Sequence, residues 1–203
     1  TGSYEHMYRA TNLAHVTAIG GPAQAVLAAG EQMPDLESAR TRTVADVPFR
    51  PREEHTMIGR VVGMPATGQA AVNDIQITEG GRLDPDVPDG VVVEQHMAGH
   101  FDLGVGDSFE ISTPQGWATM EVLGVAASPE YLWPAKSRQE ILVLPDDFGV
   151  VFASEAFVST LASEAQRSEV LFRLADDASA QDVESAREAV LAAGALDAYT
   201  LEE

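Results

Sequence analysis

The chain has 203 residues, 45% of them hydrophobic, enough for one domain with a sizeable core or for two small ones. Its 32 acidic residues against 12 basic ones give a formal net charge of -20, a field that repels phosphate backbones and argues against nucleic acid or an anionic membrane surface as partner. It has no cysteine, which excludes disulfides, thiolate zinc sites and cysteine nucleophiles, and no window approaches the roughly 18–20 continuous apolar residues of a membrane span.

The opening "TGSYEHMYRATN" lacks the basic-then-apolar layout of a signal peptide. "NLAHVTAIGGP" reads as a strand ending in a turn at Gly20, Gly21 and Pro22. A helix is predicted over "PAQAVLAAGEQM", with proline in its first turn and Val26, Gly30 and Met33 on one side. "ARTRTVADVPF" and "HTMIGRVVGMP" read as strands.

The middle of the chain is richer in turns. Short strands are expected at "NDIQIT", "GVVVEQ", "DSFEIST", "ATMEVLGVA", "EILVL" and "FGVVFA". "TPQG" predicts a hairpin that brings Phe109 and Ile111 to Met120 and Val122. A helix capped by Ser154, using Phe157 and Leu161, is expected over "SEAFVSTLASEA".

The C-terminal stretch repeats the theme of the first. "SEVLFRLADD" predicts a half-buried strand with Val170, Phe172 and Leu174 inward. Ser179 and Asp182 form a capping-box pattern, followed by a helix with Val183, Ala186, Val190 and Leu191 on its apolar face and Gly194 at its end. "LDAYTLE" reads as a last strand. The hexapeptide "AVLAAG" occurs at Ala25–Gly30 and again at Ala189–Gly194. Two β-α-β halves from opposite chain ends would then pair into one split layer. The expected division is residues 1–64 and 165–203 for that layer, with residues 65–164 as an inserted β-rich subdomain.

Few constellations suggest chemistry. In "EQHMAGHFD", His96 and His100 share a helix face at i,i+4, and Glu94, Asp102 or Asp107 could complete a metal site. The zincin pattern needs glutamate directly after the first histidine, where Met97 stands. The plainer reading turns Met97 and Phe101 inward and leaves both histidines in solvent. "DPDVPDG" offers Asp84, Asp86 and Asp89, but Pro85 and Pro88 break the calcium-loop spacing, so a rigid acidic turn is expected. There is no G-x-S-x-G, no Walker A and no G-x-G-x-x-G. In "SPEYLWPA", Tyr131 and Trp133 lie between two prolines. They either close a small core or present an aromatic surface to a ligand or partner.

The order "GGRLDPDVPDGVVVEQHMAGHFDLGVGDSFEI", "MEVLGVAASPEYLWPA", "DDFGVVFASEAF" resembles one family, the extracytoplasmic core domain of FtsX/MacB-type ABC transporter permeases. Gly81-Arg82, the Gly104, Gly106 and Asp107 turn, and Val122, Gly124 and Val125 carry the likeness. The resemblance covers residues 57–160 well and the flanks loosely. It implies an α+β fold with a split, porter-like β-α-β layer built from both chain ends, plus the inserted β-rich subdomain. It also implies a non-enzymatic transport component at the extracytoplasmic face of a bacterial membrane, in a loop between transmembrane helices. ATP would sit on a separate cytoplasmic ATPase subunit, so this domain itself would need no cofactor. A second permease copy and an extracytoplasmic protein, lipoprotein or peptide are the partners implied. The competing expectations are a free-standing secreted module for peptide or carbohydrate, and a metal-dependent hydrolase using His96 and His100.

Overall fold

The computed structural model describes residues 2–131 and 146–201. Helix α1 (Gly2–Ala10) and strand β1 (Val16–Ile19) precede α2 (Ala23–Ala28), which tightens into a 3₁₀ turn at Ala29–Gln32. Strands β2 (Leu36–Arg52), β3 (His55–Met64), β4 (Gln76–Gly80) and β5 (Gly90–Glu94) lead to α3 (Gln95–Phe101). Then come β6 (Ser108–Thr113), β7 (Gly116–Ala127), β8 (Phe148–Ser154) and α4 (Glu155–Val158). The chain closes with β9 (Gln166–Leu174), α5 (Ala180–Ala192) and β10 (Asp197–Thr200). The protein is α+β, with few helices and a mixture of parallel and antiparallel strand pairs. The strand expected at "EILVL" lies outside the described residues.

Contacts divide the chain into two units: Thr1–Arg42, Ala70–Asp74 and Arg167–Glu203 in one, Thr43–Gln69 and Ile75–Gln166 in the other. The sequence reading put the first boundary after residue 64. The observed division falls inside β2, because this strand runs for 17 residues and its second half pairs with β3.

In the first unit β1 lies between β10 and β9, antiparallel to both, with Val16 opposite Thr200 on one side and Phe172 on the other. Val16, Val26, Phe172, Leu174 and Val190 form its core with residues of α2 and α5. The Ser179 box is present: its Oγ accepts from Asp182 N at 3.2 Å, and Asp182 Oδ2 accepts from Ser179 N at 2.8 Å. Ser179→Ala removes one of these acceptors. It is expected to cost about 1 kcal/mol, a fall of roughly 2–4 °C in Tm, measurable by calorimetry. The two "AVLAAG" copies end differently. Gly194 takes a positive φ of 107° and stops α5, whereas Gly30 sits in a 3₁₀ turn against Leu36 and the Phe172 ring.

The structure corrects the half-buried reading of β9. Leu171 and Glu169, on the face opposite Phe172, are buried as well. Leu171 packs with Ala14 and Val72. The segment carrying Val72 is fastened there by Asn73, whose Oδ1 accepts from Ala14 N at 2.6 Å, and by Asp74 N, which donates to Thr11 O at 2.7 Å. Nothing in the alternation of β9 encodes that cover. Helix α1 is also new to the structural view. It ends at Ala10, and Asn12 in the following turn takes a left-handed φ of 52° before β1.

In the second unit β3, β8, β5, β7 and β4 lie in that order, and β6 joins β7 and β2. β3 runs parallel to β8 and β5 parallel to β7. The core gathers Phe49, Phe109, Ile111, Met120, Val122, Met97, Phe101 and Val151 among others. The Phe49 and Phe109 rings stand 5.9 Å apart. Gly59 is required by that packing, since a Cβ there would enter the Phe49 ring. The hairpin at "TPQG" forms as expected, with Phe109 opposite Met120 and Thr113 opposite Gly116.

The helix expected over "SEAFVSTLASEA" stops after one turn. Ser154 Oγ caps it by accepting from Phe157 N, but the Ser159 and Thr160 hydroxyls bond back to Ala156 O and Phe157 O, both at 2.7 Å. Such side-chain bonds compete with helix propagation. Phe157 is only partly buried, while Val158 and Leu161 reach the core.

Candidate functional site

The corner "SPEY" folds as a 3₁₀ turn after β7, with Tyr131 N donating to Ser128 O at 3.1 Å. Tyr131 is 7% exposed, and its ring meets that of Phe152 edge-on at 6.3 Å. Beside it Arg60 forms a two-pronged pair with Asp46, Nε to Oδ1 at 2.8 Å and Nη2 to Oδ2 at 3.0 Å. The same guanidinium lies 5.2 Å from the Phe148 ring centroid. Burial disfavours its charge, but Asp46 and the Tyr131 hydroxyl outweigh burial and hold Arg60 above its ordinary range. Tyr131 is therefore a buried residue, its ring packed on Phe152. Trp133, the other aromatic proposed for a surface, lies outside the described residues, as does Leu132.

Helix α3 turns Met97 and Phe101 inward. Its N-terminus is capped by Glu94, a buried residue whose Oε2 accepts from His96 N at 2.8 Å and whose Oε1 lies 2.6 Å from His96 Nδ1. Burial pushes the Glu94 carboxyl up, and the His96 ring and the first-turn N–H groups pull against it. His100 engages a different carboxylate: its Nε2 bonds Asp146, whose carboxyl that bond lowers below the ordinary range. His55 Nε2 donates to the Asp146 carbonyl at 2.9 Å, and Arg52 donates to the His100 carbonyl at 3.1 Å. Phe101 packs against both rings, at 4.7 Å for His100 and 5.3 Å for His55. The two histidines of the metal reading thus serve separate carboxylates. Among the described residues no group of three or more His, Asp or Glu side chains gathers as a metal would require. Asp107 instead accepts from Gly104 N at 2.7 Å, and Asp102 closes the helix with a positive φ of 54°. Asp84 accepts from Asp86 N at 2.9 Å, in a turn before β5.

A cleft of about 540 Å³ opens in the second unit, between residues 46–48 of β2 and residues 112–114 at the end of β6, with residues 162–165 across it. Near it, Trp117 is 37% exposed and Ile58 39% exposed. The Arg50 guanidinium sits 4.0 Å from the Trp117 ring centroid and pairs with Glu110 at 3.0 Å. Sequence reasoning did not single out these residues. The alternation of Asp46, Pro48 and Arg50 with Val47 and Phe49 was the available signal, because it marks which side of β2 faces outward. The chemistry available on this face is ion pairing, ring stacking and apolar contact.

No protein-family model matches the chain, and no curated protein matches it. Solved structures do. The periplasmic region of MacB from Actinobacillus actinomycetemcomitans is similar over 97% of this chain and 92% of that one, with 11% identity and a TM-score of 0.53. The extracellular domain of the noncanonic ABC-type transporter YknZ from Gram-positive bacteria is similar over 87% of this chain and 89% of that one, with 10% identity and a TM-score of 0.50. This chain has the fold of those extracytoplasmic domains.

Proposed function

We propose that the chain is the extracytoplasmic domain of an FtsX/MacB-type ABC transporter permease, relaying ATP-driven motion of transmembrane helices to a substrate or partner outside. The observation that carries this reading is the fold shared with the MacB periplasmic region over 97% of the chain. Strand pairing supports it. Val16 of β1 lies opposite Thr200 of β10, so strands from the two flanks of the first unit lie side by side. A domain held in a loop between two membrane helices needs that arrangement. Among the described residues no helix is long and apolar enough to cross a membrane. In this reading the spans belong to flanking sequence. We read the first unit as the split β-α-β layer and the second as the inserted β-rich part. The role is mechanical, with no catalytic, metal or cofactor site in this domain. Nucleotide belongs to a cytoplasmic ATPase subunit joined through the full permease, and a second permease copy and an extracytoplasmic protein, lipoprotein or peptide are the further partners.

The test is hydropathy over the whole reading frame. The expected result is an apolar stretch of about 20 residues shortly before Tyr4 and further stretches after Glu203. A frame without them overturns the reading.

A further inference from the structure

Among the described strands β10 stands at one end of the strand order and pairs with β1 alone, so its other side is a sheet edge. The register fixes which of its groups face that edge. Val16 lies opposite Thr200 and Ile19 opposite Asp197, and just past the strand Leu201 N donates to His15 O at 3.1 Å. Bonded and non-bonded positions alternate along an antiparallel pair. Counting back from Leu201, Tyr199 and Asp197 bond toward β1, whereas Ala198 and Thr200 turn their N–H and C=O outward.

Both outward groups of Ala198 are taken by side chains. Arg187, on α5, donates from Nε to Ala198 O at 2.9 Å. Ala198 N donates to Asp197 Oδ1, also at 2.9 Å. Glu184, one turn before Arg187 on the same helix, accepts from Arg187 Nη1 at 3.1 Å and steadies the guanidinium. An unpaired strand edge is a template for another strand unless charge or cover blocks it. The ends of this edge are apolar: Leu196 and Leu201, which flank β10, are 81% and 45% exposed. A strand laid along β10 would take part of that leucine surface out of water.

We propose that Arg187 and Asp197 form a guard that closes the β10 edge to a second copy of this chain. A second copy is the occupant kept out because it brings the same short strand with the same apolar ends, and two such edges meet by a two-fold axis with no other segment needed. The guard leaves the domain's partners to meet it at other surfaces. The inference stands on the first unit alone and holds whether or not the chain is a permease loop.

The test is molar mass by light scattering on the 203-residue chain, taken up to about 1 mM in about 0.5 M salt, which screens the repulsion between two acidic chains. The parent is expected to keep the 21.6 kDa mass of one chain. Arg187→Met combined with Asp197→Ala is expected to rise toward twice that mass with concentration, while the Ala198 and Thr200 amides gain protection from hydrogen exchange. If circular dichroism shows the double variant unfolded, Arg187→Met alone decides by the same two readings. A folded variant that stays at one chain overturns the proposal. So does a parent that itself pairs with its Ala198 amide protected. Association that leaves the Ala198 and Thr200 amides unprotected places the contact elsewhere and equally overturns it.

Discussion

Replacing Tyr131 with alanine is expected to destabilise the second unit by about 3–5 kcal/mol, the cost of emptying a buried aromatic site. In a chain of this size that is a fall of roughly 10 °C in Tm. The ring is 7% exposed and packed on Phe152, so its loss leaves a cavity instead of a changed surface. Tyr131→Phe keeps the ring and removes only the hydroxyl that supports Arg60. It should cost about 1 kcal/mol, the net worth of one hydrogen bond. Urea unfolding followed by near-ultraviolet circular dichroism separates the two variants. A Tyr131→Ala protein that melts with the parent would mean that Tyr131 is a surface residue, as a ligand-binding corner requires.

The second large effect is expected at Glu169, in the first unit. Its Oε1 accepts from Arg42 Nε at 3.0 Å and Nη2 at 2.8 Å, and its Oε2 from Arg167 Nε at 3.0 Å. The Arg42 and Glu169 side chains are only 2% and 4% exposed. Glu169→Ala removes the carboxylate that neutralises Arg42 in this buried place, at about 3–5 kcal/mol. Arg42→Met combined with Glu169→Leu should recover most of that loss, because apolar replacements leave no buried charge to solvate. The pair also sets a pH dependence. Burial alone would raise the Glu169 carboxyl, but Arg42 and then Arg167 outweigh it and lower it. A carboxyl lowered by folding contributes its full stability above its unfolded value, about 4.3. That contribution is lost as pH falls from there through the lowered folded value. The parent's lead over the Met/Leu double variant should therefore hold at neutral pH and shrink below about pH 4 in urea melts. A lead unchanged down to about pH 3 would show that Glu169 is not held by its arginines.

Much of the local structure was legible in the sequence. The "TPQG" hairpin, the Ser179 box, the Gly194 stop and the inward Met97 and Phe101 each rest on residues a few positions apart. Where the local reading failed, a competing contact explains it. The helix after Ser154 was cut short by hydroxyls bonding back to the chain, and β9 gained a second buried face from a segment about a hundred positions away.

Composition, turn residues and hydrophobic period determined which stretches are strands and helices, how several of them end, and that the chain is acidic with few reactive motifs. The order of motifs also pointed to the fold later found in the MacB and YknZ domains. Only the tertiary structure decided that Tyr131 is core, that His96 and His100 serve different carboxylates, that β2 passes from one unit into the other, and that its residues 46–48 line a cleft. The reason is distance along the chain. Caps, turns and amphipathic faces are settled among near neighbours, whereas Arg42 meets Glu169 across 127 positions and Arg50 meets Glu110 across 60. No periodicity carries such pairings; they arise when separate strands are brought edge to edge and bury what lies between them.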